Sequence, residues 1–425
     1  MGQDGSIINI ATADKDADST VANNISVLGN VTFGLGAASS YFSGNVDLNN
    51  SARTLTLENT TYFGGSIENG SMVVQRKDTD LTSSKVLQLY GANTYSGGTT
   101  VNGVADRTNN LTLGLGNNSA LGTGSLTFAG GGTNNIRGAT LSTTDLNRTI
   151  ANNIVINSGV TVSVDAITNL VTVVSGAAVT NSVSVNMALN GVISGAGALI
   201  KTNSNTLTLG GANTYAGGTT VNQGALVVNG SVGAVTVNTG GSLGGTGTVG
   251  AVTLTSGSFL KPGNSPGLLT AASSSWAAGS TYNWEIDNAA GVAGTNWDLF
   301  SVTGALDMSA LSSGAQMNLV LNSLSIANYS TSLSYDFVIA QAGSFIGSGF
   351  ADGANVTSFF NIDTTAFNGG SAANLPIGGF QVIAGTAGSL RTLNLMAVPE
   401  PSTGALLAFG FGGLLVTRLL RRKQS

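Results

Sequence analysis

A twelve-residue segment that occurs twice constrains the fold of this chain more strongly than any other feature. The pattern Gly-Ala-Asn-Thr-Tyr-x-Gly-Gly-Thr-Thr-Val-Asn fills residues 91–102 and again residues 211–222, and x is Ser96 in the first copy and Ala216 in the second. A short alternating Leu-x-Leu run precedes each copy. Recurring units of this kind are typical of repeat proteins, in which each unit buries its apolar face only by stacking on its neighbours.

Short alternating runs of apolar and polar residues fill much of the chain around these copies. They include residues 111–113, 154–156 and 235–237, and most are bounded by Gly, Asn or Ser. A period of two predicts strands with one apolar face, and Gly, at 61 of 425 residues, favours sharp corners because it tolerates a positive φ. We therefore predict an all-β fold with a parallel β-helix over residues 50–262, preceded by an N-terminal β segment or cap over residues 1–49.

The composition changes near Pro262 and Pro266. Two of the five prolines lie there, and all three tryptophans and several longer apolar runs follow. Because proline-rich turns often separate structural units, we predict a smaller, antiparallel β domain over residues 263–397 that caps the end of the solenoid. Residues 398–425 are predicted to form a separate tail with a single transmembrane helix.

The residue types that are missing exclude several kinds of chemistry. The chain has no Cys, no His and a net charge of −5. Thiolate catalysis, cysteine-bound metal and Ser-His-Asp catalysis are therefore excluded. Nucleic-acid binding is not expected, because it needs clustered basic residues. We expect no enzymatic activity, no cofactor and no metal site.

The C-terminal residues combine an uncharged apolar run with a basic cluster. Residues 404–417 carry no charge, and Arg418, Arg421, Arg422 and Lys423 follow. The run is shorter than the roughly 20 residues of a transmembrane helix, but Arg418 can extend it by directing its charge toward the headgroups. Because basic residues stay on the cytoplasmic side, we predict a membrane anchor with the body on the far side; a buried C-terminal helix is the alternative.

The tail resembles the PEP-CTERM sorting signal in three successive parts. These are Val-Pro-Glu-Pro-Ser-Thr from Val398, the apolar run and the terminal basic cluster. The resemblance implies that Pro399, Glu400 and Pro401 are recognised by an exosortase, a membrane cysteine protease of bacteria that make exopolysaccharide. Exopolysaccharide is accordingly a candidate partner. Tails of this type also carry the name ice-binding protein C-terminal, which by itself does not imply ice binding.

The twelve-residue pattern is similar to the autotransporter-associated β-strand repeat. That resemblance implies a β-helical passenger segment of a secreted protein. We therefore expect the protein to be exported, held in the inner membrane by its C-terminus, and then displayed at the cell surface or in the extracellular matrix. The first ten residues have no basic patch and no apolar core, so a secretory signal peptide would be missing from this sequence.

An acidic run near the N-terminus has part of the pattern of a calcium loop. Asp14, Asp16 and Asp18 have the right spacing, but the sixth and twelfth positions hold Ser19 and Ile25 in place of Gly and Glu. A solvated acidic loop is therefore the expected structure.

Three further acidic residues and two tyrosines are candidates for a site. Glu285 and Asp287 lie on one face of a predicted strand, with Asp298 nearby in the sequence. Paired carboxylates could serve glycoside hydrolysis, whereas solvated acids at a strand edge are the alternative. Tyr95 and Tyr215, at the same place in each repeat, are predicted to be structural residues at a corner rather than ligand-stacking residues.

These observations favour a structural or adhesive surface protein whose rod displays Thr, Asn and Ser to polysaccharide hydroxyls. The alternatives are a polysaccharide-degrading enzyme on a β-helical scaffold and an ice- or carbohydrate-binding module. An enzyme needs a cleft with converging carboxylates. An ice binder needs a long, flat row of threonines, and a scaffold needs neither.

Overall fold

The fold consists almost entirely of short strands. The computed structural model describes residues 6–8, 19–33, 39–76, 85–102, 111–129, 137–143, 146–165, 167–174, 177–323, 325–376 and 378–398. The strands are numbered in chain order. The first eighteen are β1 Ser6–Ile8, β2 Ser19–Val21, β3 Ile25–Ser26, β4 Val31–Phe33, β5 Ser40–Phe42, β6 Val46–Leu57, β7 Thr61–Phe63, β8 Ile67–Arg76, β9 Lys85–Leu89, β10 Thr99–Asn102, β11 Leu111–Leu115, β12 Leu126–Ala129, β13 Arg137–Thr143, β14 Arg148–Ile150, β15 Ile154–Ile156, β16 Thr161–Asp165, β17 Ile167–Val174 and β18 Ala177–Ser184.

The remaining strands are β19 Met187–Leu189, β20 Ile193–Ser194, β21 Ala198–Lys201, β22 Thr206–Leu209, β23 Thr219–Val221, β24 Gly224–Val228, β25 Ser231–Val232, β26 Val235–Val237, β27 Gly241–Gly245, β28 Thr248–Leu254, β29 Phe259–Pro262, β30 Leu268–Trp276, β31 Thr281–Glu285, β32 Leu299–Asp307, β33 Met317–Asn322, β34 Tyr335–Ile346, β35 Phe360–Ala366, β36 Phe380–Ala387 and β37 Leu390–Ala397. Short 3₁₀ helices lie at Thr357–Phe359, Phe367–Gly370 and Ala372–Asn374.

Three parallel sheets wrap around one core. Sheet A runs from β1 through β4, β6, β8, β10, β12 and β15 to β20, sheet C runs from β14 to β35, and sheet B includes β9, β11, β13, β16, β21, β23, β26 and β28. One coil takes 16 residues where Thr219 pairs with Val235, and 28 residues where Leu113 pairs with Leu141. The predicted all-β fold with parallel, solenoid-type sheets is confirmed.

Apolar side chains recur at the same position in successive coils and form the core. One column in sheet A contains Leu55, Val74, Val101, Phe128 and Ile156, which pair in register and are at most 2% exposed. Fully burying one such side chain contributes roughly 1.5–3 kcal/mol. Each coil obtains this burial only from the coils above and below it, so stability depends on stacking.

The antiparallel domain predicted over residues 263–397 is wrong for most of that range. Sheet B continues in parallel through β28, β30, β32 and β34, and sheet C continues in parallel through β29, β31, β33 and β35. Among the described strands beyond residue 262, antiparallel ladders join only β34, β36 and β37. These strands cover the edge of the last sheet-B rung, as strand edges generally require.

The longer apolar runs that suggested a new domain lengthen the rungs of the same solenoid. Strand β28 pairs with both β25 and β26, and β30 pairs with β28 along both stretches, so one long strand takes the place of two shorter ones. The proline-containing segment before it is a tight turn within the solenoid. It contains Gly263 and Ser265 with φ of +83° and +74°, and a cis Ser265–Pro266 peptide bond.

The two ends of the chain are described only in part. At the N-terminus, strands β2 to β5 already pair within sheets A and B. Outside the described residues lie the acidic positions Asp14, Asp16 and Asp18, the motif Pro399, Glu400 and Pro401, and the basic cluster Arg418, Arg421, Arg422 and Lys423. In the part of the chain that the structure describes, no helix is long and apolar enough to cross a membrane.

Candidate functional site

The repeated tyrosine lies inside the solenoid. Tyr95 is 0% exposed, and its hydroxyl oxygen lies 2.5 Å from Thr99 Oγ1. Tyr215 and Thr219 form the same buried pair in the second copy. Burial raises the pKa of both tyrosines, that of Tyr215 to about 12, although the threonine hydrogen bond opposes the shift. Both rings are enclosed by protein, which agrees with a structural role and leaves no face for a ligand.

The asparagine two positions before each tyrosine connects three successive coils. Asn93 Oδ1 accepts the Ile67 N–H at 2.7 Å, and its Nδ2 donates to the Ala120 carbonyl at 2.6 Å. In the second copy Asn213 Oδ1 accepts the Ile193 N–H at 2.8 Å, and its amide donates to a carbonyl of the following coil at 3.0 Å. Both asparagines are buried. The repeat therefore encodes a polar connection between coils at a position where unpaired backbone groups would be costly.

The two repeat copies occupy different sides of the solenoid. The strand that precedes the first copy, β9, belongs to the same sheet as β23, the strand that ends the second copy. Around the solenoid axis, the second copy therefore lies one side further along than the first copy. The repeat encodes a strand–corner–strand unit rather than a whole coil. Its hydroxyl pairs, Tyr95–Thr99 and Tyr215–Thr219, each span only four residues.

Other asparagines form the same kind of connection along the corners. The Asn186 N–H donates to Asn147 Oδ1 at 2.8 Å, and the Thr206 N–H donates to Asn186 Oδ1 at 2.9 Å. The Asn45 N–H donates to Asn24 Oδ1 at 2.9 Å near the N-terminus. Many of the asparagines therefore satisfy backbone groups of the next coil, so the high Asn content does not require a ligand.

Lys201 is a buried cation without a sequence signal. It is 0% exposed, and its Nζ donates to the carbonyl oxygens of Thr202, Asn203 and Gln223, the last two at 2.7 and 3.2 Å. Gly224 faces this group with a φ of +74°, and a Cβ there would lie 2.9 Å from Nζ. The Lys201 ammonium group therefore supplies the hydrogen-bond donors at a corner where three carbonyl oxygens converge.

Asp298 and Glu285, predicted as candidate carboxylates, are brought together in the structure. Asp298 is 1% exposed, and its two oxygens accept the N–H groups of Gly267 at 2.8 Å and Glu285 at 3.0 Å. Burial raises the pKa of Asp298 to about 8; the Gly267 N–H lowers it and the charge of Glu285 raises it. Asp298 therefore fastens the proline-containing turn to β31, and neither oxygen is open to a substrate.

Glu285 faces an open groove. Its Oε2 accepts the Ser265 hydroxyl, and its Oε1 accepts the Asn322 amide at 3.3 Å. On one side of the Ser265–Glu285 contact lies a cavity of about 360 Å³, and on the other side one of about 200 Å³. We call this groove the Glu285 cleft; its polar lining includes Lys261, Asn264, Asn283, Asp287, Asn322 and Ser323.

Asp287 lines the same cleft but has a separate partner. Asn296 Nδ2 donates to Asp287 Oδ1 at 3.2 Å, and Ile286, between the two acidic residues, is buried. The predicted sharing of one face by Glu285 and Asp287 agrees with this alternation. Chemically, the cleft offers carboxylate acceptors, amide groups and hydroxyls for hydrogen bonding.

The repeats also match a known family model. The model of the passenger-associated transport repeat matches residues 82–103 and 199–228, which include the two copies at 91–102 and 211–222. A search of curated proteins finds no match to this chain. The class that fold and repeats define is therefore an all-β solenoid with autotransporter-associated repeats. Such repeats indicate an exported surface protein of passenger type.

Proposed function

We propose that this protein is a non-catalytic structural or adhesive protein of the cell surface or extracellular matrix. The observation that carries the proposal is the presence of two passenger-type repeats in a continuous solenoid whose corners are satisfied internally by Asn93 and Asn213. Such a solenoid can hold its outward side chains in fixed rows, because adjacent rungs are spaced by about 4.8 Å. A rigid rod of this kind is suited to display and contact.

Hydroxyl-bearing residues on the outside of sheet B support contact with a polar partner. Thr220, Thr236 and Thr253 pair in register on consecutive rungs, and Ser275 follows on the next. On the preceding rung the same position is Ile200. The row of threonines is thus short and interrupted, which favours general polar contact over the ice-binding alternative.

A lack of catalysis is supported by the state of the carboxylates. A glycosidase needs two carboxyl groups that reach the substrate. Glu285 and Asp287 line the groove, but each accepts a hydrogen bond from an asparagine side chain, and the third candidate, Asp298, is buried and accepts two backbone N–H groups. We therefore propose binding rather than hydrolysis at this groove.

The proposal includes membrane anchoring and release through the C-terminal tail. The resemblance of Pro399, Glu400 and Pro401 to a sorting motif, and the cluster that ends at Lys423, support an inner-membrane anchor that an exosortase-type protease removes. Exopolysaccharide is then the partner expected outside the cell. Cleavage near Pro401 would remove the apolar run and the basic cluster together.

The test follows the C-terminus by mass spectrometry in bacterial hosts with and without an exosortase. We expect extracellular material that ends near Pro401 in the first host and membrane-bound, intact protein in the second. A variant with Pro399→Ala, Glu400→Ala and Pro401→Ala is the matched control and should stay intact in both. Extracellular protein that still ends at Ser425 in the exosortase-bearing host would overturn this part of the proposal.

A further inference from the structure

We propose that the Glu285 cleft is a binding site for a neutral, hydroxyl-rich glycan. The proposal gives the adhesive function a specific site, and its biological meaning rests on that function. Its starting point is the form of the groove, which has cavities of about 200 and 360 Å³ on the two sides of the Ser265–Glu285 contact. Ligand sites commonly have volumes of roughly 300 Å³ and above.

The groups that line the cleft are complementary to sugar hydroxyls. Glu285 provides an acceptor pair, Asn322 and Asn283 provide amide groups that both donate and accept, and Ser265 provides a hydroxyl. Vicinal hydroxyls of a sugar can donate to a carboxylate and accept from an amide at the same time. Such a mixture is less suited to an apolar ligand, since its polar groups would lose their hydrogen bonds.

Successive strands of sheet C arrange these groups in a line along the solenoid. Lys261 ends the row on β29, Asn283 and Glu285 lie on β31, and Asn322 lies on β33, directly paired with Glu285. Since adjacent rungs are about 4.8 Å apart, an extended chain of sugars that runs along the axis would meet a new polar group at each rung.

The position of Glu285 is fixed before any ligand arrives. Its N–H donates to the buried carboxyl of Asp298, and the same carboxyl accepts the Gly267 N–H from the turn that carries Ser265. Trp284, the preceding residue, donates from Nε1 to the Asp298 carbonyl at 2.9 Å. The Glu285 side chain is in turn held by Ser265 and Asn322. A side chain held in this way loses little conformational entropy on binding, which favours affinity.

The local charge selects against acidic polysaccharides. Glu285, Asp287 and Asp298 line the cleft, and Lys261 is the basic residue among the described lining residues. Because Asp298 is buried, the two carboxylates that face the groove are those of Glu285 and Asp287. Two carboxylates against one ammonium group leave an excess of negative charge, so a uronate would meet repulsion. The ligand class is therefore a neutral glycan, in which a sugar hydroxyl replaces that of Ser265 as a donor to Glu285.

The experiment measures binding by isothermal titration calorimetry with the full chain in a zwitterionic detergent without sugar groups. The probes are hexasaccharides of β-1,4-glucose, β-1,3-glucose, α-1,4-glucose and β-1,4-N-acetylglucosamine, with hexagalacturonate as the acidic counterpart. We expect at least one neutral hexasaccharide to bind more tightly than hexagalacturonate.

Variants locate the binding. Glu285→Gln and Asn322→Ala should each weaken it by about tenfold, as expected for a loss of about 1.4 kcal/mol. Asp363→Asn is the matched control, because Asp363 lies on β35 of the same sheet and does not line the cleft. Circular dichroism establishes that the variants are folded.

Three outcomes would overturn the inference: no binding of any neutral probe, tighter binding of hexagalacturonate, or equal binding by Glu285→Gln and Asp363→Asn. Each of these leaves the proposed surface function intact if the tail is still processed as expected. Conversely, failure of processing with normal glycan binding would overturn the anchoring proposal and not the cleft.

Discussion

Tyr95 and Thr99 form a hydroxyl–hydroxyl hydrogen bond of 2.5 Å across a buried corner of the solenoid. The pair belongs to the twelve-residue repeat, and Tyr215 and Thr219 reproduce it in the second copy on another side of the solenoid. The same local unit therefore performs the same task in two different surroundings. This relation makes the contribution of the repeat measurable.

The first prediction concerns this tyrosine–threonine pair. Tyr95→Phe removes one hydroxyl and leaves Thr99 Oγ1 without that partner, so we expect a loss of ~1–2 kcal/mol in the free energy of unfolding. Tyr215→Phe should cost a similar amount. Urea unfolding followed by circular dichroism measures both losses. Tyr62→Phe, whose ring is half-buried on the outer side of β7, is the control and should change stability little.

A double variant sharpens this test. Tyr95→Phe combined with Thr99→Val removes both partners, so its loss should be smaller than the sum of the single losses. Strictly additive losses would contradict a direct interaction between the two hydroxyls.

The second prediction concerns the buried asparagine. Asn93→Ala removes the acceptor of the buried Ile67 N–H and leaves the Ala120 carbonyl with the long 3.5 Å contact from the Tyr95 hydroxyl, which should cost ~2–4 kcal/mol. The matched variant Asn238→Ala removes a bond of 2.8 Å between asparagines on the outside, Asn238 and Asn222. Its cost should stay within about 0.5 kcal/mol. Equal shifts of the urea midpoint would show that burial of the amide is unimportant.

The third prediction concerns the buried lysine. Lys201→Met removes the donor from three carbonyls, and we expect a loss of at least about 2 kcal/mol. Lys261→Met is the control, because Lys261 is exposed, and should alter stability by no more than about 0.5 kcal/mol. Thermal unfolding of both variants at one pH provides the measurement. A neutral or stabilising Lys201→Met would mean that the carbonyls find other donors.

The fourth prediction is a pH dependence caused by Asp298. Burial raises the pKa of this carboxyl to about 8, whereas in the unfolded chain an aspartate titrates at about 4. Between these values the folded state holds a proton that the unfolded state lacks. The contribution of Asp298 to stability is therefore complete below pH ~4 and is lost as the pH rises through ~8, with a slope of at most ~1.4 kcal/mol per pH unit.

Asp298→Asn should remove this slope. Urea unfolding of the native protein and of the variant at pH 5, 7 and 9 makes the comparison, and the native protein should lose more stability than the variant between the first and last values. The same decline in both proteins would assign the effect to other groups.

The repeats and the alternating runs were sufficient to predict much of the fold. Apolar residues such as Leu113 and Leu141 face inward because strand side chains alternate, and they stack because the coils are parallel. The structural role of Tyr95 also followed from its recurrence. The antiparallel pairing predicted after Pro262 failed because longer apolar rungs and a new domain have the same local pattern.

The candidate site was predictable only in its residue types. Glu285 and Asp298 are thirteen positions apart in the sequence, and the pattern there cannot distinguish an exposed carboxylate from a buried one. Asp298 is buried and accepts the N–H groups of Gly267 and Glu285, so it links the proline-containing turn to β31. The same fold leaves the Glu285 side chain in a groove. Lys201 resembles any other lysine in the sequence.

The sequence by itself determined the β content, the strand faces and the strand–corner–strand unit of the repeat, because alternation, Gly, Asn and the Tyr–Thr spacing act over a few residues. It also excluded cysteine and histidine chemistry by composition. The tertiary structure alone decided which coils pair, where the second repeat lies around the axis, and which polar groups become buried. Those features arise from contacts between residues far apart in the chain, where burial changes the cost of a charge and the worth of a hydrogen bond.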